Sequence, residues 1–461
     1  MKALVAASER WLALCDEAGP ALGAGELVPS ARLRRQGRDA FAAQGLSGTK
    51  LEEWRYTNVA ELAALAWQLP AERTPEISRD AVEALASPVF ACGLLVFADG
   101  RLVPGLSTLR VPEVELLPLA AARREGARSD FARLRLAARD EASRPAQGGS
   151  PLRVGSLVDA KAHPFAALAT ALLDDGVCIR LPAGARLEQP LHLVFLSLGA
   201  GAPTAAHPRV FVEAGRGSRA VVVQDHVSLG SAPAFTNVVT ELHVGPGAQL
   251  EHVLLQRESD AAFHVSNCAA LLERDARLAT HTVTLGGRFV RNDLSVTLAG
   301  EGAEAVLNGL FLGSGERLVD NHSWVDHAVP RGTSRELYKG VLTDRSRGVF
   351  RGRMLVRPGA QHTDAKQSNP NLLLSEGAEI DSKPQLEIFA DDVKCSHGSA
   401  IGQSDENALF YLRTRGLDES AARALLVRGF AAEVLAALPE PALAEALGDA
   451  FAALLEGGAG R

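Results

Sequence analysis

Cysteine is scarce: five in 461 residues, at positions 15, 92, 178, 268 and 395, with no two in a CxxC pair. Thiols so few and so scattered make neither a disulfide framework nor a cysteine-rich zinc site. No run of 18 or more apolar residues occurs, so no membrane span is expected. Residues Met1 to Leu14 include Glu9 and Arg10 and lack a long apolar core, so they do not read as a signal peptide. A basic excess is also missing. Forty-eight Lys and Arg face 55 Asp and Glu, for a net charge of −7, which gives no electrostatic footing for nucleic acid or an anionic membrane surface. The P-loop, HExxH, HRD and GxSxG patterns are absent. The expectation is a cytoplasmic protein with no nucleic-acid or membrane partner.

The composition is that of an ordinary folded chain, 47% hydrophobic and 22% charged. At roughly 150 residues per domain, its length suggests two or three domains. Residues 1–150 are mostly rich in Ala, Leu, Arg and Glu, which are helix formers. Trp11, Leu12, Leu14 and Ala18 fall at helical spacing, Asp39–Gln44 and Val59–Trp67 continue the pattern, and Thr57-Asn58 offers a helix start. Cys92–Ala98 instead reads as a strand ending in a tight Asp99-Gly100 turn. Ala121–Ala138 reads as helix again, and residues 140–151 as a loop or domain boundary. Residues 404–461 return to helix: one starting at Ser404-Asp405 and ending at Gly416, a second over Asp418–Ala437, a third from Pro441 to about Glu456.

Residues 151–403 have their own period. A turn residue, a small residue and a strand start recur at Gly217-Ser218, Gly247-Ala248, Asp275-Ala276, Gly302-Ala303, Gly359-Ala360 and Gly377-Ala378. The steps are 30, 28, 27, 57 and 18 residues, so the fourth is about a double step and the last breaks the rule. Such a repeat signals stacked coils. Three short strands and three turns per coil would use this many residues, and a right-handed parallel β-helix fits best. An antiparallel sandwich with glycine turns is the alternative. The fold class expected is mainly β, a β-helix core with α-helical domains at both ends serving as caps over exposed strand edges.

Candidate chemistry is sparse. Most histidines (His192, His207, His226, His243, His252, His264 and His281) stand singly in β texture and read as surface or satisfied core positions. His322 and His327 are five apart, so a strand places them on opposite faces. The densest polar cluster runs from Gln361 to His397. At its end Cys395 and His397 are two apart and share one strand face; thiolate and imidazole suit iron, zinc or copper. Two ligands do not close a site, so a second chain or substrate must complete it, or else the pair is a packed cysteine beside a hydrogen-bonded histidine. A β-helix enzyme acting on polysaccharide would need paired carboxylates across a groove. Asp391-Asp392, adjacent on a strand, would point to opposite faces.

The stretch Asn371 to Gly398, with Lys366-Gln367-Ser368-Asn369 before it, resembles the core signature of the SufB/SufD family, the scaffold proteins of the SUF iron–sulfur cluster assembly system. Glu53-Trp54-Arg55-Tyr56-Thr57 resembles the N-terminal signature of the SufD branch, and Ala408 to Leu417 the start of the family's C-terminal helical region. The resemblance implies a right-handed parallel β-helix and a heterodimer with SufB through the β-helix cores. It implies docking of the ATPase SufC on the C-terminal helices, with Leu409, Phe410, Tyr411, Leu412 and Leu417 as candidate contacts. It further implies sulfur supplied by donors of the SufE/SufS type and delivery of the nascent cluster to carriers, with no ATPase or desulfurase activity in this chain. His397 matches the histidine implicated in cluster assembly at the SufB interface, as a metal ligand shared with SufB, and Cys395 the nearby cysteine. A transient cluster shared with SufB, and reduced flavin in the complex, are the cofactors the resemblance allows; none is needed for folding, and the isolated chain could form homodimers. The alternative is a structural scaffold subunit that holds SufB and SufC without touching iron or sulfide.

Overall fold

The computed structural model describes residues 2–23, 28–71, 76–89, 91–108, 110–120, 154–403 and 405–458. The helix read over Ala121–Ala138 and the boundary read at 140–151 lie outside them. The core is a parallel β-solenoid built from two sheets. The first has the order β2 (Arg101–Leu102), β1 (Gly93–Ala98), β5 (Leu191–Ser197), β8 (Arg219–Ser228), β10 (Gln249–Arg257), β12 (Arg277–Thr284), β14 (Glu304–Gly313), β16 (Thr333–Leu342), β18 (Asp364–Leu373), β20 (Lys394–Gly402). The second runs β3 (Glu115–Pro118), β4 (Gly176–Leu181), β7 (Arg209–Ala214), β9 (Ala234–Val244), β11 (Phe263–Leu272), β13 (Phe289–Leu298), β15 (Leu318–His327), β17 (Arg347–Val356), β19 (Glu379–Ile388), with β6 (Thr204–Ala206) also on β9. Among the described strands, the β1/β2 hairpin and the β3/β4 pair are antiparallel. The hairpin turns at Asp99 and Gly100, both with positive φ, as its Asp-Gly sequence requires.

The coil differs from the expected one. Each turn of the solenoid has two strands of about ten residues and two turns, not three strands and three turns. The period survives because the same turn of six successive coils carries a left-handed residue. Positive φ recurs at Gly217, Gly247, Asp275, Gly302, Arg331 and His362, which are 30, 28, 27, 29 and 31 residues apart. The apparent double step hides Arg331. The 18-residue step joins turns on opposite sides of the coil, since Gly359 follows β17 and Gly377 follows β18.

Strands stack in register, so inward side chains form columns along the solenoid. Phe195, Val222, Leu250, Leu278 and Leu307 from one sheet meet Val212, Leu242, Leu272, Val296 and Met354 from the other in the main apolar core. Each coil buries its inward face only against its neighbours, which makes the stack the unit of stability. Where the sequence interrupts the ladder, a side chain repairs it. Pro370 in β18 lacks the N–H that would reach β16, and Asn369 Nδ2 donates to the Tyr338 carbonyl instead, at 2.9 Å.

The described helices cover the outer faces of the sheets and not the last coil, where the sequence reading expected caps at both ends. On the second sheet, α1 (Lys2–Gly23), α2 (Val28–Gln44), α3 (Ala60–Ala64) and α5 (Pro164–Ala171) bury Trp11, Phe41, Leu62 and Phe165 against Phe235, Phe263 and Phe289; α4 is Arg79–Leu85. After α6 (Glu406–Thr414), α7 (Glu419–Leu435) and α8 (Pro441–Gly458) lay Val427, Val434, Leu443 and Phe451 on Val253, Val283, Leu310 and Val341 of the first sheet. The N-caps are the residues the sequence offers: Asp405 accepts from Asn407 and Ala408, and Asp418 from Ala421. Because apolar faces outside the sheet draw the helices sideways, among the described residues β19 and β20 each pair on one side only, with β17 and β18.

Candidate functional site

The open end presents the last coil's inward residues. On β20, Cys395, His397, Ser399 and Ile401 stack in register on Ala365, Gln367, Asn369 and Asn371 of β18. Cys395 and His397 therefore share one face. Cys395 is half-buried against the core and His397 is exposed. The Lys394 N–H donates to the Thr363 carbonyl. Parallel ladders use every second residue, so the N–H groups of Cys395, His397, Ser399 and Ile401 face the free side. On β19, Glu379 N–H bonds the Ser346 carbonyl, which puts Pro384 at a free-edge position where its missing donor is harmless. Phe389, Ile401 and Ile388 are the large exposed apolar residues here, at 61%, 54% and 40%.

The floor of this end is polar. Ser399 Oγ donates to Ser382 Oγ at 2.8 Å, Ser382 Oγ to Asn369 Oδ1 at 2.7 Å, and Asn371 Nδ2 to the same oxygen at 2.8 Å. One inward column leads from His397 through Gln367 to Glu336. Gln367 Nε2 donates to Glu336 Oε2 at 2.6 Å, in space kept by Gly352, where a methyl group would overlap the Gln367 amide. Gln367 Oε1 and Glu336 Oε1 are buried without a partner. Burial pushes the Glu336 carboxyl up to about 7, against the hydrogen bond from Gln367. Burial likewise raises the Cys395 thiol, which disfavours its thiolate.

Glu336 makes a prediction. A carboxyl that ionises near 4.5 when unfolded and about 7 when folded stabilises the fold fully below the lower value and loses that stabilisation as pH rises through the upper one. The difference is on the order of 3 kcal/mol. Glu336→Gln is therefore expected to be more stable than the parent above pH 7 and similar to it near pH 4.5. Urea midpoints at several pH values check this; parallel curves for the two proteins would refute it.

Other sequence-selected residues fall elsewhere. His322 and His327 lie on opposite faces of β15. His327 points inward and its Nε2 lies 2.9 Å from Ser334 Oγ, whereas His322 is outward beside Asp320. Asp391 and Asp392 are in the turn after β19, not on a strand, and Asp392 pairs with His362. The singly placed histidines are buried. On α6, Leu409 is buried, Leu412 and the following Leu417 are half-buried, and Phe410 and Tyr411 are exposed at 70% and 57%. The Glu53–Thr57 segment docks on the second sheet: Arg291 bonds the Glu53 carbonyl and lies 3.9 Å from the Trp54 ring centre, and Thr57 bonds Asp320. Sequence reasoning missed Glu336, one carboxylate among many until the coils stack. Among the described residues no group of three or more His, Cys, Asp or Glu is placed to hold a metal ion, and no helix is long and apolar enough to cross a membrane.

The fold is a two-sheet parallel solenoid with flanking helices and, among the described residues, a polar-floored end at which β19 and β20 are edge strands. Residues 196–430 match the family model for the SUF system FeS cluster assembly SufBD core domain. The chain is 32% identical over 418 residues to the iron–sulfur cluster assembly protein SufD of Escherichia coli, covering 90% of each chain. It is 30% identical over 420 residues to a SufBD family protein of Synechocystis, covering 88% of this chain and 87% of that one. With SufD of Bacillus subtilis it shares 26% over 279 residues. The chain belongs to the SufBD family of iron–sulfur cluster assembly scaffold proteins and is SufD-like.

Proposed function

We propose that this chain is the SufD-type subunit of a SUF scaffold complex, joined through its open end to a SufB-type sister and carrying a SufC-type ATPase on its C-terminal helices. The observation that supports this most is the pair of unpaired edge strands with His397 exposed on the inner face between them. An edge of this kind is a template for another chain's strands. A sister end docked there would enclose His397, whose imidazole offers one nitrogen to iron or sulfide cargo and leaves the remaining positions to the partner. Cys395, packed and with its thiol pushed up, serves the interface more than the cargo.

The helices suit force transmission. Phe410 and Tyr411 give an ATPase an exposed aromatic pair, while α7 is fixed to the first sheet by its apolar face and by Lys339, which bonds the Phe430 carbonyl at 2.9 Å and Glu433 at 2.6 Å. Closure of two ATPase subunits would pull on this sheet as a rigid body and open the seam to cargo.

Anaerobic co-expression with SufB and SufC, followed by size measurement and iron and sulfide quantitation, tests the reading. His397→Ala is expected to leave the complex intact and to lower bound iron and sulfide about tenfold or more, the loss of one imidazole ligand to the cargo. Unchanged cargo would remove the ligand role, and loss of the complex would make His397 a purely structural contact.

A further inference from the structure

The inner column that ends at His397 carries a carboxyl, a carboxamide and an imidazole on successive coils: Glu336 of β16, Gln367 of β18 and His397 of β20. In-register strands set these side chains one strand spacing apart, about 4.8 Å. Gln367 is only 1% exposed, although a single coil lies beyond it. Glu336 lies against it on the inner side. On the outer side its in-register neighbour is His397, so the imidazole is the side chain placed to cover the amide.

The amide has one orientation open to it. An ionised Glu336 accepts hydrogen bonds and donates none, so it draws Gln367 Nε2 to itself, at 2.6 Å, and turns Oε1 away. That oxygen is buried without a partner, and an orphaned acceptor calls for a donor. The donors of the floor are already committed. Asn369 Nδ2 is spent on the Tyr338 carbonyl, Asn371 Nδ2 on Asn369, and the Ser382 and Ser399 hydroxyls on Asn369 and Ser382. Ser323 Oγ, unpartnered too, is one coil further in. His397 is exposed, so its ring is free to turn onto the amide.

We propose that Gln367 is a positioning residue for His397: its Oε1 accepts from the imidazole Nδ1–H, which leaves Nε2 without a proton and open to cargo. A histidine that ligates a metal through one nitrogen commonly donates its other N–H to a neighbouring acceptor, which fixes both tautomer and ring orientation. Glu336 acts one step behind, holding the amide the right way round. The use of this arrangement for cargo rests on the cluster-assembly reading; the hydrogen bond itself does not.

Nitrogen-15 spectra of the full chain with labelled histidine rings, recorded at about pH 8.5 where imidazoles are neutral, read the tautomer. The His397→Ala spectrum identifies the His397 signals. The parent is expected to carry the proton of His397 on Nδ1. Gln367→Leu is expected to return it to the Nε2–H form that free imidazole side chains favour. Glu336→Gln lets the amide turn either way and should give a mixture; it is expected to be more stable than the parent at this pH, so it keeps the test decisive if Gln367→Leu fails to fold. In the complex with SufB and SufC, Gln367→Leu is expected to lower bound iron and sulfide about tenfold with the size unchanged, as loss of a ligand's supporting hydrogen bond does. A parent His397 protonated on Nε2, or a tautomer that neither variant alters, would overturn the proposal. So would cargo that is undiminished in Gln367→Leu but lost in His397→Ala. The expected spectra together with undiminished cargo in His397→Ala would instead overturn the cluster-assembly reading, so the two fail separately.

Discussion

Ile401→Lys is expected to leave the isolated chain folded while weakening its association with a SufB-type sister by at least about 30-fold, or about 2 kcal/mol. Ile401 sits near the end of β20, 54% exposed, on the face shared with His397 and with its own N–H on the free side of the sheet. A lysine there is tolerated by solvent in the monomer, where surface changes usually stay within about 0.5 kcal/mol. In a joined pair of edges it would bury a charge at the seam, which is how edge strands are naturally kept from pairing. Analytical ultracentrifugation of the variant with SufB, beside a thermal melt of the variant alone, reads both halves. Undiminished association would show that the open end is not the seam.

Acid is expected to unfold the protein near pH 5. Burial pushes His207 and His226 down to about 3, and His252, His281 and His327 down to about 4. These groups are neutral when folded but take up protons near 6.5 when unfolded. The unfolded chain therefore binds more protons as pH falls below 6.5, and stability is lost in that direction. At pH 5 each contributes about 2 kcal/mol of loss, roughly 10 kcal/mol for the five. Protonation of Glu336 returns about 2 kcal/mol over the same range, which leaves the histidines dominant. A net loss of roughly 8 kcal/mol is comparable with the whole stability of a typical domain, about 5–15 kcal/mol. Circular dichroism melts from pH 8 to 4.5 should show the midpoint falling steeply below pH 6.5. A melting temperature at pH 5 within a few degrees of that at pH 8 would contradict the assignment of neutral buried histidines.

The coil was legible because its chemistry is local. A left-handed turn residue is cheapest as glycine, and Gly217, Gly247 and Gly302 reveal it from sequence alone. Arg331 and His362 occupy the same position without glycine, so the count missed one coil and misplaced another. Strands per coil were misjudged for a related reason. Turn spacing gives the length of a coil, but two long strands and three short ones use the same number of residues. The pairing of Cys395 with His397 on one face followed from the period of two, which no tertiary contact can change once the segment is a strand.

The open end was not legible. Whether β19 and β20 are covered depends on where the C-terminal helices dock, and that is set by the apolar outer faces of β10, β12, β14 and β16. The Glu336–Gln367–His397 column likewise joins residues about 30 positions apart, which meet only because every coil stacks without slipping. Local pattern thus determined the strands, their turns, the helical ends and the likeness to a cluster-assembly scaffold. Only the folded chain decided which edges stay unpaired and which carboxyl is buried under His397, because each depends on distances across coils that periodicity alone does not encode.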